Sequence, residues 1–471
     1  MNSSLQKSAL AQHQTLTTAE MDILWRLEHL PLSWVQGRLL VMGGLGYTFD
    51  AANNAVLAFI LPAVTALFGL SNAQTGLLGS SLLMGYLFGA FFAGTLGDLL
   101  GRKKVMMYAL ALYCIGSLLG ACSQTFGFLF GARIIAGVGT GAESAIVAPF
   151  LAEFIQSKYR GRYLGSLSGF FAFGFVLAAV LGYAVVPASK EGWRIVQVLT
   201  SLPIVMLLWW RRALPESPRW LIQQGRSTEA EQVVSAMELE VLRRVGGSLP
   251  DIVSVPSPPA VMRRRGSPVE NLRALWSPTL VRSTAMLWTL WITITFSYYG
   301  FFTWIPTLLV KHGLTITTSF AYSIVIYLAQ IPGYYSAAFL SEKLDRKWTI
   351  ILYMLFGGAS AFLLANAHHE KTITVFGFCL SFFMNGTYAG IYAYTPEVYP
   401  TAFRATGMGV ASAFGRIGGI LAPIIIGFTF AKIGFAGVFT ITTGVMIAGA
   451  LTVALMGIST TGKTLEQITS E

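Results

Sequence analysis

Apolar residues fall into long runs along this chain, and short polar stretches that hold most of the charge separate these runs. A helix needs about 20 residues to cross about 30 Å of hydrocarbon. The runs are long enough to do so, and they predict membrane spans at about residues 39–68, 74–97, 104–122, 127–152, 163–186, 194–212, 281–310, 317–340, 348–366, 372–396, 404–430 and 435–458. The pattern therefore predicts an all-α membrane protein with twelve transmembrane helices.

The two halves of the chain match each other at charged positions that stand 244 residues apart. The matched pairs are Asp98 with Glu342, Arg102 with Arg346, Glu153 with Glu397 and Arg160 with Arg404. Because all four pairs are separated by the same number of residues, they indicate two six-helix bundles related as parallel repeats. Membrane transporters have this arrangement. We therefore expect a small-molecule site between the bundles at mid-depth.

Lys and Arg are concentrated in alternate loops, and the intervening loops hold few of them. Because basic loops stay in the cytoplasm, both termini and the long central segment are predicted to be cytoplasmic. The predicted parts are a cytoplasmic segment at 1–38 whose residues 19–38 form an amphipathic helix on the membrane surface, a bundle at 39–212, a linker at 213–280, a second bundle at 281–458 and a cytoplasmic tail at 459–471. The linker holds a Pro-rich stretch and the basic run Arg263–Arg265.

Composition supports a membrane protein and argues against other classes. Apolar residues make up 54% of the chain and charged residues 11%, against about a quarter charged in soluble proteins. The net charge of +11 follows the loop pattern, so nucleic acid is not a predicted partner. Cys114, Cys122 and Cys379 lie in or at the ends of spans, and we interpret them as small apolar fillers. The N-terminal segment is too polar for a cleavable signal peptide.

The sequence contains no metal-ligand cluster, nucleophile motif or soluble catalytic domain. It therefore predicts a protein that is not an enzyme and has no cofactor or metal. Charged side chains inside the spans are then the main candidates for function, because each costs about 2.5–3.5 kcal/mol at a helix centre.

Asp50 lies near the middle of the first span, and Asn53 and Asn54 follow it on what we predict to be one helix face. Such a polar stripe must face protein or a water-filled cavity. A carboxylate in a medium of low dielectric constant binds protons more readily than one in water. Asp50 is therefore a candidate proton carrier, or else a static polar contact between helices.

Three further charges lie inside the spans. Arg133 stands about 9 Å from the outer end of span four, where it either reaches Asp50 or extends to the membrane interface. Glu143 lies ten residues further on and on a different face, either as a second proton-coupling residue or as a carboxyl satisfied by a neighbouring helix. Arg416 lies near the middle of span eleven without an acid in its own span. It is either a ligand for a carboxylate substrate or a helix-packing partner.

Aromatic and amide side chains of the second half suit a flat substrate that stacks on rings while one or two polar groups fix it. Besides Asn53, Asn54 and Arg416, the candidates for substrate binding are Trp291, Tyr298, Tyr299, Gln330, Asn385, Tyr388 and Tyr392. Most aromatic residues in these spans are also compatible with core packing or contact with lipid.

Several motifs resemble those of the major facilitator superfamily. GDLLGRKK at 97–104 is similar to the superfamily's loop between spans two and three, and RIIAGVGTG at 133–141 is similar to its fourth-span motif. PESPRWL at 215–221 and GKTLEQI near the C-terminus resemble the sugar-porter branch. Span seven lacks the glutamine-rich motif of sugar carriers. GYTFDAANNAVLAF, LAQIPGYYSAAFL and GRIGGILAP are closer to the bacterial niacin-transporter (NiaP-type) and metabolite–proton symporter group.

This resemblance implies a multi-pass transporter of the cell (inner) membrane that works by rocker-switch alternating access. Sugar–proton symporters of the superfamily pair an Asp in span one with an Arg in span four, and Asp50 and Arg133 hold the matching positions. The resemblance also implies a cytoplasmic gate of ion pairs at helix ends, formed by Asp98, Arg102, Glu153, Arg160, Glu342, Arg346, Glu397 and Arg404.

We therefore expect a monomer that imports a small organic acid anion, nicotinate first, together with a proton. Other transporters of the same fold remain open, for an aromatic acid, a sugar or another metabolite. A drug or metabolite exporter that prefers cations is another alternative, which Arg416 argues against but Asp50 and Glu143 leave open. A transporter-like protein that binds its ligand without moving it is a further alternative from another class.

Overall fold

The computed structural model describes residues 17–245, 268–400 and 404–460, and all regular structure in these ranges is helical. Arg263–Arg265 and the GKTLEQI motif lie outside the described residues. The α-helices are α1 (Thr18–His29), α2 (Trp34–Phe68), α3 (Asn72–Leu100), α4 (Arg102–Ala121), α5 (Phe126–Ala152), α6 (Ser157–Val185), α7 (Gly192–Ser201), α8 (Met206–Ala213), α9 (Pro218–Gln223), α10 (Ser227–Val245), α11 (Pro268–Ala274), α12 (Val281–Lys311), α13 (Ile316–Leu328), α14 (Gln330–Lys343), α15 (Arg346–Ala365), α16 (Glu370–Val398) and α17 (Arg404–Met456).

The described helices supply the twelve predicted membrane spans. Ten segments are long and apolar enough to cross a bilayer, with α7–α8 and α13–α14 each counting as one span. One of the ten lies in α17, which the non-helical backbone of Gly434 (φ 61°, ψ −164°) divides into two spans. The remaining span is α12, a continuous helix of 31 residues. The prediction of twelve spans is thus confirmed in the part of the chain that the structure describes.

Local sequence explains where the first spans begin and end. The first span begins at Trp34 rather than near residue 39, because Ser33 and Gln36 form a capping box that starts the helix early. Gly69 ends this helix in the left-handed conformation (φ 60°), which a residue without a Cβ adopts without strain. Ser71 then caps α3, so the connection between the first two spans is short.

The internal repeat extends to the backbone. Gly101, between α3 and α4, has φ 97° and ψ 146°. Asp345 stands 244 residues later, between α14 and α15, and has φ 103° and ψ 145°. Such a positive φ is strained for a residue with a side chain. Asp345 compensates by accepting a hydrogen bond from the Lys347 backbone N–H at 2.9 Å, and it thereby caps α15.

Each half packs mainly with itself, and a few helices join the halves. In the N-terminal half α3 packs along α5 and α2 along α6, while in the C-terminal half α12 packs along α17 and α14 along α16. The halves meet where α3 contacts α17, α2 contacts α12 and α6 contacts α13. These contacts place α2 and α3 of the first half against α12 and α17 of the second.

The N-terminal helix α1 packs on protein through apolar residues that the sequence pattern predicted to face the membrane surface. Its apolar residues Ile23 and Leu27 are buried in the core of the N-terminal half. On its polar side, Arg26 donates to Glu238 (2.9 Å) and to Ser235 (3.0 Å) of α10. An amphipathic pattern shows that one face needs an apolar partner, but α10 of the predicted linker supplies a protein partner here.

Candidate functional site

The charged side chains inside the N-terminal half form two separate groups. Asp50, Arg133 and Glu143 are all fully buried. Arg133 donates from Nη1 to the side-chain oxygen of Asn53 (2.9 Å) and from Nη2 to the Asn53 backbone oxygen (2.6 Å). Asp50 instead accepts a hydrogen bond from the Ser144 hydroxyl at 3.3 Å. The expected contact between Asp50 and Arg133 is therefore not formed in this structure.

Helix geometry explains why Arg133 meets Asn53. Asn53 lies almost one turn beyond Asp50, toward the end of the span at which Arg133 was predicted. Its side-chain oxygen also accepts from Ser117 (3.0 Å), and its amide donates to Thr140 (3.4 Å). These bonds hold Asn53 inside the N-terminal half, so the structure does not bring it to the second half with the other substrate-binding candidates.

Asp50 and Glu143 form a buried pair of carboxyl groups. Glu143 Oε1 lies against Gly46, one turn before Asp50 on α2, so closely that a Cβ at position 46 would collide with it. The two carboxyl groups are within electrostatic range of each other. Among the described atoms, Asp50 Oδ1 and both Glu143 oxygens have no hydrogen-bond partner. Two buried carboxylates without a neighbouring cation are costly, so this pair is chemically suited to hold a proton.

Arg416 connects the two halves and has neutral partners. Its Nη1 donates to the Tyr299 hydroxyl of its own half at 3.1 Å, and its Nη2 donates to the Tyr86 hydroxyl of α3 at 3.2 Å. The guanidinium carbon lies 4.3 Å from the centroid of the Tyr86 ring. No ion pair to Arg416 is formed within the described residues. A half-buried guanidinium with only hydroxyl acceptors retains its capacity to bind an anion, and its planar shape matches a carboxylate.

Aromatic rings of the C-terminal half lie beside Arg416. The ring of Tyr298 lies 5.3 Å from that of Tyr299 and 5.1 Å from that of Tyr388, while Trp291 lies 5.1 Å from Tyr392. Tyr392 is 41% exposed, although it is close enough to Arg416 for an electrostatic interaction. Tyr392 is thus an exposed member of a group of rings on which a flat molecule can stack.

The amide candidates divide between the two halves. Asn54 donates to the Tyr299 hydroxyl at 3.4 Å and so faces the second half, whereas Asn53 faces its own half. Asn53 and Asn54 flank Asp50 on the helix and point about 100° apart, which is enough for their side chains to reach different halves. In the second half, Gln330 accepts from Tyr298 (3.3 Å), and Asn385 donates to the backbone of its own helix.

Two remaining aromatic candidates are held by threonine residues. Trp291 Nε1 donates to Thr395 at 3.0 Å, and the Tyr388 hydroxyl donates to Thr295 at 3.0 Å. These bonds fix the orientation of both rings before any ligand is present. The polar edges of these two rings are thus occupied within the protein, and their faces remain the surfaces available for stacking.

Sequence reasoning missed Tyr86 and Ser144, which contact the predicted charged residues. The Tyr86 hydroxyl accepts a hydrogen bond from Arg416, and the Ser144 hydroxyl donates one to Asp50. A single tyrosine and a single serine among many small and aromatic residues gave no periodic signal. The one available hint was that Ser144 directly follows Glu143 in the sequence.

The ion pairs of the predicted gate lie within each half in this structure. Arg102 Nε lies 2.8 Å from a Glu153 oxygen, and Arg346 Nε lies 2.8 Å from a Glu397 oxygen. Burial raises the pKa of Glu153, against the opposing effects of its Ser217 hydrogen bond and of Arg102.

The other predicted gate residues add local contacts. Asp98 lies 3.2 Å from Arg102 as a second partner. Arg160 donates to the backbone oxygens of Ala152 and Ile155 at 3.2 and 3.3 Å. The side chains of Glu342 and Arg404 lie outside those that the structure describes. Each half thus keeps its own ion pair at this end of the molecule.

At the opposite end the halves touch directly. The Ser80 hydroxyl donates to the Ile420 backbone oxygen at 2.6 Å, and Lys311 donates to the Asn72 side chain. A Cβ at Gly76 would collide with the backbone oxygen of Pro423, so α3 and α17 approach closely here. The structure is therefore closed at the end that carries residues 69–71.

Comparisons with known proteins agree with this architecture. A family model described as "Sugar (and other) transporter" matches residues 12–471. The niacin transporter NiaP of Acinetobacter baylyi is 37% identical over 449 residues, which cover 95% of this chain and 100% of the relative. A putative niacin/nicotinamide transporter NiaP of Bacillus subtilis is 34% identical, over 92% of this chain and 98% of the relative.

Among solved structures, the inward open conformation of the xylose transporter XylE from E. coli superposes with a TM-score of 0.72. It covers 92% of this chain and 99% of the transporter at 17% identity, so it shares the fold. The charged interior, the twelve spans and the match along nearly the whole chain lead to one assignment. This protein belongs to the sugar (and other) transporter family of the major facilitator superfamily, and it is a multi-pass membrane transporter of small molecules rather than an enzyme.

Proposed function

We propose that this transporter imports a small organic acid, most directly nicotinate, together with a proton. The observation that carries the proposal is Arg416, a guanidinium between the two halves whose described partners are the neutral hydroxyls of Tyr86 and Tyr299. The planar N–H donors of a guanidinium match the two oxygens of a carboxylate, so a carboxylate is the expected ligand. The neighbouring rings of Tyr388 and Tyr392 suit the flat pyridine ring of nicotinate.

Proton coupling is assigned to Asp50 and Glu143. These buried carboxyl groups lie close together, and Arg133, the third proton-coupling candidate, is held on Asn53. A proton that travels with a monoanion moves no net charge. The pH gradient and the substrate gradient would then drive uptake. The membrane potential, worth about 2.3 kcal/mol per charge per 100 mV, would contribute little.

The closed end of the molecule supports an inward-facing state. Residues 69–71 lie at this end, and the scarcity of Lys and Arg in this loop predicts that it faces outside. In the outward-facing state we expect the gate ion pairs of the cytoplasmic end to rearrange and join the halves. Alternating access then follows from rocking of the halves around the site.

The test is uptake of labelled nicotinate into liposomes that contain the purified protein, with an imposed inward proton gradient. The proposal predicts accumulation above the external concentration that collapses when a protonophore is added. Nicotinamide, which keeps the ring but lacks the carboxylate, is the matched control and should compete poorly. Accumulation that ignores the protonophore would contradict symport, and equal transport of nicotinamide would contradict the role of Arg416.

A further inference from the structure

Gln330 is a buried amide side chain at the start of α14. Its oxygen accepts a hydrogen bond from the Tyr298 hydroxyl at 3.3 Å. Its nitrogen, Nε2, is also buried and has no hydrogen-bond partner among the described residues. A buried donor without an acceptor costs free energy, and native proteins leave few of them unpaired. The amide nitrogen of Gln330 is therefore available to an acceptor that the protein itself does not supply.

The backbone places Gln330 at an irregular point of its span. Helix α13 ends at Leu328, and α14 begins at Gln330. Pro332 explains the interruption, because proline lacks the backbone N–H that would donate to the Leu328 carbonyl. Transporters commonly form substrate sites at interrupted spans, where irregular backbone faces protein or a cavity rather than lipid. The location of Gln330 therefore favours a ligand as the missing acceptor.

Two tyrosines connect Gln330 with Arg416. Arg416 Nη1 donates to the Tyr299 hydroxyl at 3.1 Å, and the Tyr299 ring lies 5.3 Å from the Tyr298 ring. Tyr298 in turn donates to Gln330. Phe175 of the first half lies 5.9 Å from the Tyr298 ring, so these side chains follow the surface on which the two halves meet. A charged donor thus lies at one end of this series and a neutral donor at the other.

The two donors differ in the same way as the two polar groups of nicotinate. The carboxylate of nicotinate is an anion and suits Arg416. Its ring nitrogen carries no proton at neutral pH, so it is a neutral acceptor for an amide N–H. The ring of Tyr388 lies 5.1 Å from that of Tyr298 and offers a face on which the pyridine ring can stack.

From these contacts we propose that Gln330 is a specificity-determining residue whose Nε2 donates a hydrogen bond to the ring nitrogen of nicotinate. The inference rests on the function proposed above. It narrows the substrate from aromatic acids in general to acids whose ring carries a hydrogen-bond acceptor. Tyr298 orients the amide, because its hydroxyl occupies the oxygen and leaves the nitrogen to the ligand.

Other amides beside the rings do not offer the same donor. Asn385 Nδ2 donates to the Ser381 backbone oxygen at 2.9 Å, and Asn54 Nδ2 donates to the Tyr299 hydroxyl at 3.4 Å. Both nitrogens thus have an acceptor within the protein. Gln330 differs from them, since its nitrogen has no such acceptor in the part of the chain that the structure describes.

The test compares the affinities of nicotinate and benzoate for the purified full chain, in the wild type and in Gln330→Met. Benzoate keeps the flat ring and the carboxylate but lacks the ring nitrogen. The wild type should bind nicotinate about tenfold more tightly, because benzoate leaves the buried donor unpaired. Gln330→Met keeps the length of the side chain and removes the amide, so it should bind the two acids with similar affinity.

Asn385→Leu is the matched control, since it removes a neighbouring amide whose nitrogen already has an acceptor in its own helix. It should keep the preference for nicotinate. Binding of benzoate shows that the site of each variant is intact. Gln330→Leu removes the same amide with a different apolar side chain, and it replaces Gln330→Met if that variant does not bind benzoate.

The outcomes separate the two proposals. A wild type that binds neither acid contradicts the proposed function and this inference with it. A wild type that binds both acids equally contradicts only recognition of the ring nitrogen. A preference for nicotinate that persists in Gln330→Met contradicts the role of Gln330, and so does loss of benzoate binding in both Gln330 variants, because the amide would then serve more than the ring nitrogen.

Discussion

The two halves of this transporter share ion pairs and backbone conformations at the ends of their helices. They differ in the charged residues inside their spans. Both keep an ion pair at the same place, Arg102 with Glu153 and Arg346 with Glu397, and both connect two spans through one residue of positive φ. The charged interior is not repeated. Asp50, Arg133 and Glu143 correspond to Ile294, Gly377 and Thr387 in the second half, and Arg416 corresponds to Ala172 in the first half.

This difference suggests a division of labour between the halves. The repeated features lie at helix ends, where the halves must move against each other in the same way. The unrepeated charges lie inside the spans, where each one costs free energy on insertion and therefore points to a functional role. On our proposal the N-terminal half binds the proton and the C-terminal half binds the substrate.

The largest expected effect comes from removing the charge of the C-terminal half. Arg416→Gln keeps a hydrogen-bonding side chain but loses the guanidinium. Loss of a buried charged partner costs about 2 kcal/mol or more, which is about 30-fold in affinity. Titration of the purified variant with nicotinate measures this, with Lys432→Gln at an exposed position of α17 as the control. Wild-type affinity in Arg416→Gln would show that the carboxylate binds elsewhere.

Replacing Asp50 in the N-terminal half should abolish proton-driven accumulation and leave substrate binding intact. Asp50→Asn resembles the protonated carboxyl group in shape and cannot release a proton. We expect this variant to bind nicotinate and to exchange it across the membrane, but not to accumulate it against a gradient. Uptake into liposomes with and without a pH gradient distinguishes the two activities. Accumulation at the wild-type level would remove Asp50 from the coupling mechanism.

The two adjacent asparagines should differ in their effects. Asn53→Ala deprives the buried Arg133 guanidinium of its side-chain acceptor, and bonds to charged groups contribute about 1.5–3 kcal/mol. Asn54→Ala loses only a long bond to Tyr299, at 3.4 Å. Thermal unfolding in detergent should therefore show a clearly lower midpoint for Asn53→Ala. Similar midpoints would contradict the structural role of Asn53.

The smallest effects test the repeated backbone positions. Gly101→Ala places a Cβ at a positive φ and against Glu216, so it should cost about 1–3 kcal/mol of stability. Asp345→Gly relieves backbone strain but removes the cap on Lys347, worth about 0.5–2 kcal/mol, and the hydrogen bond from Ser459, so its net loss of stability should be smaller than that of Gly101→Ala. The thermal unfolding midpoints of the two variants compare these equivalent positions of the two halves. A larger loss of stability in Asp345→Gly than in Gly101→Ala would contradict this interpretation of the repeat.

The helices and the internal repeat were easier to predict from the sequence than the partners of individual side chains. Span length and the offset of 244 residues are one-dimensional signals, so the twelve helices and the repeat could be predicted from them. The apolar surroundings of Asp50 and Arg416 in the sequence also indicated that both lie inside the helix bundles, where Asp50 is buried and Arg416 is half-buried. Partners were not predictable in the same way, because they depend on rotation about each helix axis.

Three particular errors follow from this limit. Arg133 contacts Asn53 instead of Asp50, because a shift of three residues changes which side chain it meets first. Tyr86 contributes to the site from α3, although nothing in the local sequence of α3 marks it. The protein partner of the apolar face of α1 was missed, because Leu27 packs in one cluster with Val234 of α10, far along the chain.

The most direct test of the division of labour is the proton movement that nicotinate itself causes. Nicotinate is added to liposomes with equal pH inside and outside, and the external pH is recorded with the wild type, Asp50→Asn and Arg416→Gln. The account predicts alkalinisation by the wild type alone, while Asp50→Asn still exchanges labelled nicotinate and Arg416→Gln does neither. Alkalinisation by Asp50→Asn, or nicotinate exchange by Arg416→Gln, would contradict the assignment of the proton to one half and the substrate to the other.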